Sequence, residues 1–197
     1  MTFKKGSSGS RRPTNRRSFT RRVLVVCAAR KTEKDYLEAL ALDVRNSAVK
    51  VKFKSDDGSP LDVVKLAAKL RHLDKEDFDE VWTVCDVDSF NVPKALIAGR
   101  QKGVKVAVSS PCFELYLLLH FEDVKRHIED AEHAKAALRK YVVNYDKTKL
   151  DFDDFRDLVS VAHGRAKKLP ECDELSVKNP SSGVWRLVEL IYPAVSE

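Results

Sequence analysis

Glu80-Val-Trp-Thr-Val-Cys-Asp-Val-Asp88 is the stretch on which the reading of this chain turns. A run rich in apolar and β-branched residues reads as a strand, and it ends in two carboxylates two positions apart. Side chains on an extended chain repeat every second residue, so Asp86 and Asp88 face the same spot. Two like charges held that close repel unless something positive lies between them. A hard divalent cation answers that need, Mg²⁺ above all, because it takes carboxylate oxygens and keeps several waters. The alternative is a strand end followed by an Asx-rich turn that caps the next helix.

Working outward, Val23-Leu-Val-Val-Cys27 is a short continuous apolar run, as in a strand covered on both faces. Thr32-Glu-Lys-Asp35 looks like a helix start, with Thr32 as the cap and Tyr36, Leu37, Leu40 and Ala41 as the apolar stripe. Val49-Lys-Val-Lys-Phe53 alternates and reads as a strand with one wetter face. Helices are expected over 61–73 and 91–101, the second stopped by Gly103, and a fourth strand over 104–108. The resulting βαβαβαβ order implies an α/β fold with a mainly parallel sheet and right-handed crossovers. Beyond it the pattern turns helical: an apolar helix over 110–121 opened by Pro111, pieces over 129–145 and 151–162, a loop over 170–181, and a last helix over 183–192. Ligands of open α/β sheets sit outside the carboxyl ends of the strands, so the loops 28–33, 86–89 and 109–110 are candidates for one crevice.

The net charge of +6 is concentrated in one place. Lys4, Lys5, Arg11, Arg12, Arg16, Arg17, Arg21 and Arg22 precede any acid, which leaves the rest of the chain slightly acidic. Residues 1–22 thus read as a disordered basic tail suited to non-specific phosphate contact, or as a solubilising arm. No apolar run is long enough for a membrane span, and no apolar segment makes the basic N-terminus a signal peptide. Cys27, Cys85, Cys112 and Cys172 lack Cys-x-x-Cys spacing and read as reduced, buried residues of a cytoplasmic protein. His127, His133 and His163 read as surface residues.

Four segments together resemble the RloB-like family, a TOPRIM-type fold of bacterial phage-defence and abortive-infection loci. They are Val25–Tyr36, Val81–Phe90, Ser109-Ser-Pro-Cys-Phe-Glu-Leu-Tyr-Leu-Leu-Leu-His-Phe121 and Asn179–Glu189. The resemblance implies a TOPRIM-like four-stranded mainly parallel sheet over 23–121, with a helical C-terminal extension over 122–197. It also implies a Mg²⁺- or Mn²⁺-dependent nuclease that cuts RNA or DNA alongside an AAA-type or ABC-type ATPase partner, with a homo-oligomer open. On this pattern Asp86 and Asp88 hold the metal, with Glu33 as a third carboxylate.

The chain departs from the family at Ala28-Ala29, where the resemblance expects Glu-Gly. Alanine neither binds metal nor carries a proton. Three explanations stand: the site is naturally silent, leaving a binding or regulatory module; it is rebuilt around Glu33; or the double alanine is an engineered inactivation. Glu33 has the alternative of an acidic first-turn residue favoured by the helix dipole, and the same alternative applies to Glu114. Ser110 and His120 are further candidates, His120 with the alternative of a hydrogen-bonded core histidine. Arg30 and Lys31 stand near the crevice, either as phosphate contacts or as solvated residues.

Overall fold

The computed structural model describes residues 20–28, 31–73, 78–87 and 91–196. Four parallel strands form the body of the sheet: β1 (Arg21–Cys27), β2 (Val49–Ser55), β3 (Glu80–Asp86) and β4 (Lys105–Ser110). A two-residue β5 (Ser181–Ser182) pairs antiparallel with the end of β4, and the strand order is β2-β1-β3-β4-β5. The crossovers are α1 (Thr32–Val44), α2 (Pro60–Leu73) and α3 (Val92–Lys102). The α/β class and parallel sheet expected from the strand pattern are thus present. β5 was not foreseen, since two serines carry no hydrophobic signal.

Alternation along the strands splits the core between the two faces. Val23, Val25 and Cys27 of β1 face one layer together with Trp82, Val84 and Ala107. Leu24 and Val26 face the other with Val81, Cys85, Val106 and Val108. The second layer is closed by Val63, Val64 and Ala67 of α2 and by Val92 and Ala95 of α3. The first is closed by α1 and by the helices after β4: α4 (Glu114–Leu118), α5 (Ala131–Leu138), α6 (Val159–Ala166) and α7 (Val184–Ile191). Each fully buried Val or Leu contributes about 1.5–3 kcal/mol relative to exposure.

Local signals set the element ends. Asn91 caps α3 by accepting from the Lys94 N–H, and Gly103, at φ 64°, ends it in the left-handed region glycine tolerates. Gly99 lets α3 lie against β4, because a Cβ there would stand 2.8 Å from the Val104 carbonyl oxygen.

Several helical expectations need correction. Thr32 does not cap α1; its hydroxyl donates to the Lys147 carbonyl at 2.9 Å, a partner 115 residues away. The expected helix over 110–121 is confined to Glu114–Leu118, and Ser110 still belongs to β4. After Leu118 the chain tightens into i+3 turns such as His120 N–H to Leu117 O. The piece over 129–145 is helical only through Ala131–Leu138, and 151–162 begins as two 3₁₀ turns. His163 is buried, against the expectation of a surface residue, and packs edge-on to Trp185; His127 and His133 are exposed. Cys27, Cys85 and Cys112 are buried free thiols and Cys172 is half-buried. No helix among the described residues is long and apolar enough to cross a membrane.

Candidate functional site

Strand order reverses between β1 and β3, since the chain goes from β1 outward to β2 and then back to β3 on the other side. The carboxyl ends of β1, β3 and β4 come level there, with Cys27 opposite Val84, Val84 opposite Ala107 and Asp86 opposite Ser109. A cleft of about 360 Å³ opens at this edge. Thr32 and Glu33 of α1, Asp86 at the end of β3 with Val87 behind it, and the stretch from Ser110 at the end of β4 to Glu114 of α4 line it. The remaining wall comes from Glu129, Asp130, Ala131, Lys135, Lys147 and Asn179.

Glu33 sits at the first turn of α1 with only 3% of its surface exposed, and its Oε2 has no hydrogen-bond partner. Burial, and to a lesser extent the Glu114 carboxylate, raise its carboxyl to about 7, against a hydrogen bond from its own backbone N–H and the Lys147 charge, which both lower it. Glu114 is buried and its Oε1 accepts from the Tyr145 hydroxyl at 3.4 Å. The Cys112 thiol is pushed up by burial and then by Glu114. Asp86 is half-buried at the end of β3, and the Val87 N–H donates to Ser109 O at 2.9 Å, holding β3 to β4 at the cleft floor.

Glu33, Asp86, Glu114 and Ser110 are therefore brought to one cleft. Asp88, Ala29 and Arg30 lie outside the described residues, as do Arg11, Arg12, Arg16 and Arg17. Ala28 closes β1, its N–H donating to Val84 O at 2.8 Å. Lys31 is exposed beside α1 and does not line the cleft. Arg21 and Arg22 stand at the opposite end of β1, where Arg21 pairs with Glu80 at 3.3 Å and the Arg22 N–H donates to Asp79. His120 is a core residue away from the cleft. Its Nδ1 lies 3.2 and 3.1 Å from the carbonyls of Tyr116 and Leu117, and its Nε2 lies 2.9 Å from the Tyr36 hydroxyl.

Lys135, Lys147 and Tyr145 were not singled out from sequence. They lie in a stretch with no motif, and only folding places them opposite the carboxylates. Asn179 stood within a recognised segment but without a role. Its Oδ1 accepts from the Ile128 N–H at 3.1 Å and its Nδ2 donates to the Ile128 carbonyl at 2.8 Å, which fixes the cleft rim that follows.

The donor chemistry of the cleft suits a hard cation. Three of the four candidates gathered there, Glu33, Asp86 and Glu114, are carboxylates, and a positive ion beside Glu33 would compensate its unsatisfied oxygen. Among the described residues no three His, Cys, Asp or Glu side chains form a ready metal cage; Asp88 is not among those residues. A model of the RloB-like protein family matches residues 23–191, a span that includes every residue named on the cleft wall. No protein of curated function matches the chain.

Proposed function

The chain belongs to the RloB-like protein family, and from that membership we propose that it is the TOPRIM-type nuclease component of an anti-phage defence system. It acts on RNA, with tRNA as one substrate class, or on DNA, and requires Mg²⁺ or Mn²⁺. The observation that carries this reading is the convergence of Glu33, Asp86 and Glu114 on one cleft at the strand-order reversal.

Asp86, Asp88 and Glu33 are the residues that would hold the cation, which when bound neutralises charge building on the phosphate. Hydrolysis of a phosphodiester also needs a proton taken from the attacking water and one given to the leaving oxygen. Glu114, held by Tyr145 beside Glu33, is the carboxylate left for proton transfer. The basic tail supplies salt-sensitive attraction to nucleic acid. The protein works in the cytoplasm with an AAA-type or ABC-type ATPase partner, as a monomer or a homo-oligomer.

A second reading is favoured by Ala28, which puts a methyl group where the family pattern has its glutamate. On that reading the chain binds nucleic acid or an ATPase partner and does not cut. One experiment separates the two: cleavage of tRNA and DNA with Mg²⁺ or Mn²⁺ by the unaltered chain, by Asp86→Ala, and by Ala28→Glu/Ala29→Gly. Cleavage by the unaltered chain that is lost in Asp86→Ala supports the nuclease. Cleavage that appears only in the double variant shows a silenced site, and cleavage surviving Asp86→Ala refutes the assignment.

A further inference from the structure

The wall facing the carboxylates is built from the chain after β4, and it carries two cations, Lys135 and Lys147, beside the exposed acids Glu129 and Asp130. Lys135 lies on α5, whose start is fixed by Asp130 accepting from the His133 N–H at 2.9 Å. Its side chain is only 13% exposed, although a lysine ammonium is strongly hydrated when free. Its Nζ meets Glu132 at 2.8 Å, but Glu132 is 76% exposed, so this pair is weakly held and can rearrange. The charge of Lys135 is favoured by Glu132 and, across the cleft, by Glu114.

Lys147 is arranged differently. Its main chain is pinned, because its carbonyl accepts from Thr32 at 2.9 Å and the neighbouring turn is closed by Asp146. There the Thr148 N–H and hydroxyl both donate to Asp146 Oδ1 at 2.8 Å, and the Lys149 N–H donates to Asp146 O at 2.9 Å. Its side chain is exposed at the cleft and its charge is felt by Glu33. One cation thus addresses Glu114 and the other Glu33. The fixed backbone and free ammonium of Lys147 suit capture of a mobile anion, since little backbone ordering is left to be done on binding.

We propose that Lys135 and Lys147 form a phosphate-binding wall, which receives a phosphate group of the substrate opposite Glu33, Asp86 and Glu114. The proposal rests on the nuclease reading of the same cleft. It makes α5 and its following loop a substrate-binding part of the site: Glu33 of α1, Asp86 of β3 and Glu114 of α4 supply the anionic side, and α5 with its following loop supplies the cationic side. Lysines act here as point charges on phosphate oxygens.

Inorganic phosphate is the probe, titrated into the full chain with Mg²⁺ present and followed by ³¹P line broadening and calorimetry. Lys135→Met and Lys147→Met keep the apolar stem and remove the charge. Each is expected to weaken phosphate binding about tenfold, the loss of one charge-assisted hydrogen bond. Lys147→Arg is expected to retain binding, and Lys125→Met, on an exposed side chain away from the cleft, to leave it unchanged. Thermal melting of each variant accompanies the titration. Weaker binding with an unchanged melting temperature supports the wall. Affinity unchanged from that of the unaltered chain in both methionine variants overturns it, and so does equal loss in Lys147→Arg and Lys147→Met. Absence of cleavage in every variant counts against the nuclease reading alone, because phosphate binding is read without turnover.

Discussion

The Tyr36 hydroxyl donates to Nε2 of His120 at 2.9 Å in the centre of the core, joining α1 to the turn after α4. The direction follows from the other ring nitrogen. Nδ1 lies within reach of two carbonyls, which only accept, so Nδ1 carries the proton and Nε2 is the acceptor. Burial holds His120 down to about 4. Between roughly pH 6.5 and 4 the unfolded chain takes up a proton that the native imidazole refuses, so stability falls as pH falls through that window. The contribution is about 3 kcal/mol. Urea unfolding from pH 4 to 7 is expected to show this slope, and His120→Gln to remove it. Tyr36→Phe strands the acceptor and is expected to cost about 1–3 kcal/mol at neutral pH.

Glu33 gives the opposite slope. Its carboxyl titrates near 7 in the fold and near 4.5 when unfolded, so the metal-free protein loses stability as pH rises from 4.5 through 7. Glu33→Gln is expected to be more stable than the unaltered chain at pH 8 in EDTA, by up to about 3 kcal/mol, and to show no such advantage at pH 4. Parallel denaturant curves at the two pH values decide it. Because the two windows overlap, the unaltered chain shows a flatter profile than either variant.

Gly99→Ala is expected to destabilise the fold even though alanine favours helix by about 1 kcal/mol. The added methyl would lie 2.6 Å from Val106 Cγ2 and 2.8 Å from the Val104 carbonyl oxygen. The backbone contact cannot be relieved by a rotamer change, so α3 must lift from β4 at a cost of about 1–3 kcal/mol. Chemical denaturation measures it; a neutral result would mean that α3 shifts freely.

Asn179→Ala removes both side-chain bonds to Ile128. A loss of about 2 kcal/mol is expected, with faster hydrogen exchange at the Ile128 amide and little change in β1. Asn179→Asp keeps the acceptor for the Ile128 N–H but sets a carboxylate against the Ile128 carbonyl, so it is expected to recover only part of the loss.

The α/β plan was legible because β1 and β3 are covered on both faces and so are written as unbroken apolar runs. The carboxyl-end crevice followed from strand order, and three of its carboxylates were named from sequence. Period failed where burial is all round: Leu115, Leu117, Leu118 and Leu119 are all fully buried, so nothing in their spacing showed that α4 stops at Leu118. Thr32 has the residue type of a cap, but its partner is 115 residues away, which no local pattern encodes. Lys135 and Lys147 stand among many charged residues, and only the return of the chain across the sheet distinguishes them. His163 reads as polar, and its burial against Trp185 depends on α7 crossing α6.

Asn179, joined to Ile128 across 51 residues, sets a time as well as a place. During synthesis the carboxylates emerge first, the lysines later, and the residue that ties the rim later still. A growing chain has no complete cleft wall until Asn179 is free to reach Ile128, so the last piece of the site to be made is the one that fixes its rim.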